Sequence, residues 1–197
     1  GLATGSTMSG VYRELENLGF IPECEIAFAL DEYSGLGRDH PNSYFGELNE
    51  QFVQRIGFKG RLLVPGQEPY SDPEEFERAH LAQGPLAVQL LGLGSNGHIA
   101  FNEPGSSWDS VTRVVELHEA TIRDNSRFFE YPATMPSYAT TQGIATIKRA
   151  SALLLLVFGE SKLAALQAAF RNPGVNSPVS SLFDHPNLTL ITDLELS

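Results

Sequence analysis

Six short apolar segments separated by helix-like stretches run through this 197-residue chain, and that alternation narrows its fold more than any other feature. The segments are Glu25–Leu30, Arg61–Val64, Leu86–Leu93, Val111–Leu117, Ala152–Phe158 and Leu188–Thr192. Several are apolar on both faces, which suits strands of a mostly parallel sheet covered by helices. Between them, Tyr44–Ile56 places Phe45, Leu48, Phe52 and Ile56 at helical spacing. Asp72-Pro73-Glu74-Glu75 reads as an N-cap, a proline at N1 and an acidic first turn. Ser161–Arg171 reads as an alanine-rich helix. The expectation is one α/β domain over residues 1–197, with no linker to divide it. Tyr131–Ser137 (YPATMPS) carries two prolines and no periodicity, so it reads either as a mobile segment or as a rigid surface connection.

Composition removes several function classes. A formal net charge of −11 argues against a nucleic-acid or anionic-membrane partner. Any anionic ligand must therefore find a local pocket of donors. Cys24 is the only cysteine, which excludes an intrachain disulfide and a thiolate zinc site and suits the cytoplasm. The longest apolar run, Ala152–Phe158, is far too short to cross a bilayer as a helix.

In open α/β sheets, ligands bind beyond the carboxyl ends of the strands. The residues just past each strand are therefore informative. Gly5-Ser6-Thr7 stands before a helical pattern, where backbone N–H groups and two hydroxyls suit a phosphate. A plain helix cap accounts for it as well. Asp31, directly after a buried-looking strand, suits a general base, or equally a cap for the following turn. His98 lies in a glycine-flanked loop between Asn96 and Glu103, polar company for a proton shuttle. The loop has too few ligands for a metal. Arg127 and Lys162 are the cations best placed to hold a phosphate, although each taken singly reads as a surface charge. Trp108 and the pair Phe128-Phe129 read as packing. No Walker loop and no dinucleotide fingerprint is present, so a nucleotide is not expected.

At these residues the chain resembles the glucosamine-6-phosphate deaminase family. The segments that carry the likeness are LATGST (2–7), LDEYSGL with HPNSY (30–44), LGLGSNGHIAFNEPGSS (91–107), TIRDNSRFF (121–129), QGIATIKRA (142–150) and FGESKLAAL (158–166). They span nearly the whole chain, and GHIAFNEPG is the most specific. The resemblance implies a three-layer Rossmann-like fold that converts glucosamine 6-phosphate and water to fructose 6-phosphate and ammonia. Asp31 would move a proton between C2 and C1 of the opened sugar. His98, helped by Glu103 and Asn96, would open the ring, while Gly5, Ser6, Thr7, Arg127 and Lys162 would hold the phosphate. No metal or organic cofactor is implied, and the partner is a small sugar phosphate. A non-catalytic sugar-phosphate sensor and a related isomerase or lactonase are the competing readings.

The chain departs from the family pattern in three places. Many members carry an aspartate where Asn96 stands, and an amide cannot stabilise an imidazolium by charge. Regulated members carry a lysine two residues beyond the equivalent of Arg113, and here that position is Val115. That implies a monomer or small homo-oligomer without activation of that type. Members also begin with a strand and a helix ahead of LATGST, so the expected fold is one without its N-terminal strand and helix.

Overall fold

The computed structural model describes residues 1–131 and 134–196. The first residues lie inside a parallel sheet. On one side Leu2 N donates to Phe28 O and Leu30 N donates to Leu2 O; on the other, Gly1 N donates to Val88 O and Leu90 N donates to Gly1 O. Beyond the first pair lie β1 (Ile26–Phe28) and β3 (Arg61–Leu63). Beyond the second lie β4 (Gln89–Gly92), β7 (Leu153–Val157) and β8 (Leu188–Thr192), with every pairing parallel. The strongly apolar Leu153–Val157 is flanked on both sides and mostly buried, as a central parallel strand requires.

A second sheet is antiparallel, with β6 (Tyr138–Thr141) between β2 (Asp31–Tyr33) and β5 (Arg113–Glu116). Three expectations from the sequence change here. Asp31 does not stand past a strand at the start of a turn but opens a strand of its own, Asp31–Tyr33. Val111–Leu117 shortens to β5, whose burial alternates because one face meets solvent. The third change is β6, which has no apolar run to announce it; its buried residues are Ala139, Thr140 and Thr141.

The helices are α1 (Ser6–Asn17), α2 (Tyr44–Leu48), α3 (Pro73–Gln83), α4 (Glu119–Ser126), α5 (Ile144–Lys148) and α6 (Leu163–Arg171). Asp72 caps α3 as its sequence indicates, accepting from Glu74 N at 2.8 Å. The stretch Tyr44–Ile56 is α-helical to Leu48, widens into a π-helical turn over Asn49–Gln54 that still buries Phe52, and returns to α-helix at Arg55 and Ile56. Tyr12 and Phe52 meet edge to face, as do Phe28 and Phe76, so α1, the π turn and α3 are locked to one core. Each such fully buried side chain contributes about 1.5–3 kcal/mol. Of YPATMPS, Pro132 and Ala133 lie outside the described residues.

Candidate active site

The chain leaves β4 at Gly92 and doubles back on itself. Gly97 N donates to Gly94 O, and Gly94 N donates to His98 O at 2.9 Å. A Cβ on Gly94 would stand 2.2 Å from His98 Cε1, so only glycine lets the imidazole lie against this backbone. Ala100 then adopts φ 50°, a left-handed conformation costing ~1 kcal/mol outside glycine. A bridge between Ile99 and Asn102 holds it there, reinforced by Asn102 Nδ2 donating to Ile99 O.

This turn returns Glu103 to face Asn96 and His98. Asn96 Nδ2 donates to Glu103 Oε2 at 2.7 Å, and Thr121 Oγ1 on α4 donates to Oε1. His98 Nδ1 lies 3.6 Å from Glu103 Oε2, just beyond hydrogen-bond length, and has no other partner among the described residues. Asn96 Oδ1 accepts from His98 N, which sets the approach of the histidine backbone. Burial pushes the Glu103 carboxyl up, but His98, Thr121 and Asn96 together outweigh it and hold the group at about 2. Glu103 thus supplies at the imidazole the negative charge that Asn96 lacks.

Asp31 stands where the backbone passes from the parallel to the antiparallel sheet. Leu30 N still bonds to Leu2, whereas Asp31 pairs with Thr141 of β6. Asp31 is 7% exposed, and among the described residues no donor and no cation reaches its carboxyl. Burial first, then the Glu32 and Glu47 carboxylates, push Asp31 well above the usual carboxylate range. Such a group suits proton abstraction near neutral pH. Glu32 beside it is fully buried and accepts from the backbone N–H of Tyr33, Tyr44 and Phe45, fastening the start of α2 to β2.

One dipeptide joins the two halves. Gln142 Nε2 donates to Ala29 O and Gln142 N to Leu30 O, while its own carbonyl accepts from Asn102 Nδ2 at 2.8 Å. Thr141 Oγ1 accepts from Phe101 N. The strand carrying Asp31 and the loop carrying His98 and Glu103 are therefore built on a common frame. Neither Thr141, Gln142 nor Thr121 stands out in the sequence. They lie inside QGIATIKRA and ATTQ or TIRDNSRFF, but no periodicity shows which way a short polar stretch faces.

Gly5 forms the N-cap of α1 with φ 96° and has no side chain to cap it; Ser6 and Thr7 open the helix, and among the described residues their hydroxyls make no hydrogen bond. The Gly5 amide itself donates to Glu47 Oε1 at 2.9 Å. Lys162 ends a 3₁₀ turn after β7 and is half-buried; burial lowers its pKa and the Asp124 carboxylate opposes that. Asp124 Oδ2 accepts from Ser95 Oγ, placing this charge beside the His98 loop. Arg127 is exposed at the C-cap of α4, stacks over its own neighbour Phe128 at 4.9 Å, and shares no hydrogen bond or ion pair with the other site residues. Phe129 is buried against Tyr33, but Phe128 is 63% exposed, contrary to its reading as packing. Trp108 packs half-buried at the main core. Among the described residues, no group of three or more His, Cys, Asp or Glu side chains is placed to hold a metal.

Comparison with known proteins bears on the same segments. The profile of the family described as "Glucosamine-6-phosphate isomerases/6-phosphogluconolactonase" matches residues 1–190. A glucosamine-6-phosphate deaminase of Listeria innocua is 40% identical over 198 residues, covering 99% of this chain and 84% of that protein. One of Corynebacterium urealyticum is 44% identical over 203 residues, covering 98% and 78%. Among solved structures, a monomeric glucosamine-6-phosphate deaminase, described as a missing link of the NagB superfamily, superposes with a TM-score of 0.91 at 38% identity, covering 97% of this chain and 83% of that one. The 6-phosphogluconolactonase of Trypanosoma brucei shares the fold at a TM-score of 0.71 and 22% identity, covering 97% and 81%. With its α/β fold of mostly parallel strands, this chain belongs to the family of glucosamine-6-phosphate isomerases and 6-phosphogluconolactonases.

Proposed function

We propose that the protein is a cytoplasmic glucosamine-6-phosphate deaminase, a monomer or small homo-oligomer, turning glucosamine 6-phosphate and water into fructose 6-phosphate and ammonia. The observation that supports this reading is a pair of carboxyls of opposite character on one frame. Asp31 is buried, unpaired and raised, whereas Glu103 is hydrogen-bonded, held at about 2 and set against His98. One suits carbon acid chemistry and the other proton exchange at oxygen.

His98, oriented by Glu103 and Asn96, protonates the ring oxygen as the C1 hydroxyl loses its proton, which opens the sugar to its aldehyde. Asp31 removes the C2 proton, and the electrons form an enolamine across C1 and C2. Return of the proton to C1 leaves a C2 imine; water adds there and ammonia departs, giving the ketone. Gly5, Ser6, Thr7, Lys162 and Arg127 hold the phosphate and so fix the sugar against both centres. Arg127, which stacks on Phe128, is the second cation of that set.

A substrate panel tests the reading. Ammonia release is expected from glucosamine 6-phosphate, with galactosamine 6-phosphate run alongside to define the epimer. Hydrolysis of 6-phosphogluconolactone without ammonia from either amino sugar would replace the deaminase assignment with a lactonase. Calorimetric binding of glucosamine 6-phosphate with no turnover would replace it with a sensor.

A further inference from the structure

The stretch after α6 carries none of the residues proposed for chemistry, yet it grips the loop of His98 and Glu103 at two points. Val175 O accepts from Gly105 N at 2.7 Å, and Val179 N donates to Gly97 O at 3.2 Å. Gly97 immediately precedes His98, and Gly105 lies two residues past Glu103, so the contacts bracket both members of the pair. Both are backbone bonds, made by residues four positions apart in one compact turn. The spacing between the two ends of the loop therefore follows from the shape of that turn.

A buried hydroxyl sets this shape. Gly174 and Ser177 face each other across a bridge, with Ser177 N donating to Gly174 O at 2.8 Å. Ser180, 4% exposed in the 3₁₀ turn Pro178–Leu182, closes it. Its Oγ accepts from Gly174 N at 3.0 Å and donates to Ser177 O at 2.6 Å. One side chain thus ties the residue before Val175 to the turn that carries Val179. Ser177 packs against the loop as well, its Oγ 3.6 Å from where a Cβ on Gly97 would stand.

The other bonds to the His98 backbone, from Gly94 N and to Asn96 Oδ1, come from within the same loop and move with it. Glu103 is tied separately, by Thr121 on α4. A shift at Gly97 therefore displaces the histidine more than the carboxylate. The ring stands 3.6 Å from Glu103 Oε2, a gap at which a few tenths of an ångström decide whether a hydrogen bond exists. We propose that Ser180 is a positioning residue for the His98–Glu103 pair, holding Gly97 and Gly105 at a fixed spacing through the Gly174–Ser177 turn. The inference rests on that pair as the ring-opening centre, but its geometry can be read without turnover.

Three variants test this. Ser180→Ala deletes both side-chain bonds. Ser180→Cys keeps a group of similar size and weakens them, because a thiol is a poor donor and acceptor. Ser43→Ala removes a comparably buried hydroxyl with two bonds of its own, to Arg38 O and from Gly46 N, and so controls for lost stability. In Ser180→Ala, NMR-detected exchange of the Gly105 amide speeds up roughly tenfold, as for one lost hydrogen bond. The Glu103 carboxyl, titrated by 13C NMR and assigned against Glu103→Gln, moves up from about 2 towards 4.5 as the imidazole withdraws. Ammonia release loses kcat by roughly tenfold while KM for glucosamine 6-phosphate stays near parental, because the phosphate-holding residues lie elsewhere. Ser180→Cys shows smaller shifts of the same sign and carries the test if Ser180→Ala does not fold. Ser43→Ala leaves Gly105 exchange and the Glu103 titration at parental values. Either NMR reading unchanged in a folded Ser180 variant, or the same changes in Ser43→Ala, overturns the proposal. A parent protein that releases no ammonia sinks the deaminase reading instead, and the two NMR readings still decide the role of Ser180.

Discussion

Burying a carboxyl that no donor reaches costs folding free energy whenever the group is ionised, and Asp31 carries that cost at neutral pH. A raised group binds its proton more tightly in the folded state. Its contribution to stability is therefore present below the ordinary carboxylate range and lost as pH rises. Asp31→Asn removes the charge and keeps the shape. It should cut turnover about 10²–10⁴-fold, as expected for loss of a general base, yet raise the thermal midpoint at pH 7.5. A thermal scan in which Asp31→Asn melts below the parent would show that Asp31 is not a buried, unpaired charge. Gly94 offers the opposite case, a residue with no chemistry of its own. Gly94→Ala must push the His98 ring aside, and a displacement on the order of 1 Å should lower kcat about a hundredfold with the fold intact by circular dichroism. Both residues stand out in the sequence, Asp31 by its place after a strand and Gly94 by its glycine-rich loop. Ser180 does not, because a serine in a short turn carries no periodic signal. Only its bonds to Gly174 N and Ser177 O reveal it.

At the level of elements, α4 ties the site together by one face. Thr121 bonds to Glu103, Asp124 to Ser95, and Asn125 Nδ2 to Tyr33 Oη at 3.1 Å. Residues spaced three and four apart thus reach the loop after β4 and the strand carrying Asp31. Losing the last two contacts, in Asp124→Ala with Asn125→Ala, should speed amide exchange over Glu119–Ser126 and raise KM more than it lowers kcat. Unchanged exchange in α4 would mean these bonds do not hold the helix. The parallel strands are legible in the sequence because continuous apolar runs such as Leu153–Val157 leave little alternative. The antiparallel sheet is not. Its strands are short, Thr140 and Thr141 are polar yet buried, and their burial depends on partners more than a hundred residues away, Asp31 and Glu32 among them. The helix at Tyr44 is legible at its start, where Ser43 accepts from Gly46 N, but not in its continuation, because helical spacing does not distinguish α from π winding.

Across the whole molecule, acid should unfold the protein through His80 in the core and Glu103 in the site. His80 on α3 is 1% exposed against Phe28 with both ring nitrogens unpartnered among the described residues, and burial, aided by Arg149, lowers it to about 4. The unfolded histidine protonates near its ordinary value while the folded one resists. Stability therefore falls as pH drops from 6.5 towards 4, by about 3 kcal/mol. Glu103, held at about 2, adds a further loss as pH falls from 4.5. His80→Leu should flatten the dependence of urea midpoints on pH between 6.5 and 4; an equally steep curve in that variant would assign the acid sensitivity elsewhere. Asp31 is proposed as the base that this scaffolding positions. Incubation of the protein with glucosamine 6-phosphate, quantifying ammonia and fructose 6-phosphate together, tests it most directly. The account predicts the two products in equal amounts, and their near-complete loss in folded Asp31→Asn. Turnover by Asp31→Asn at the parental rate, or fructose 6-phosphate formed without ammonia, would contradict it.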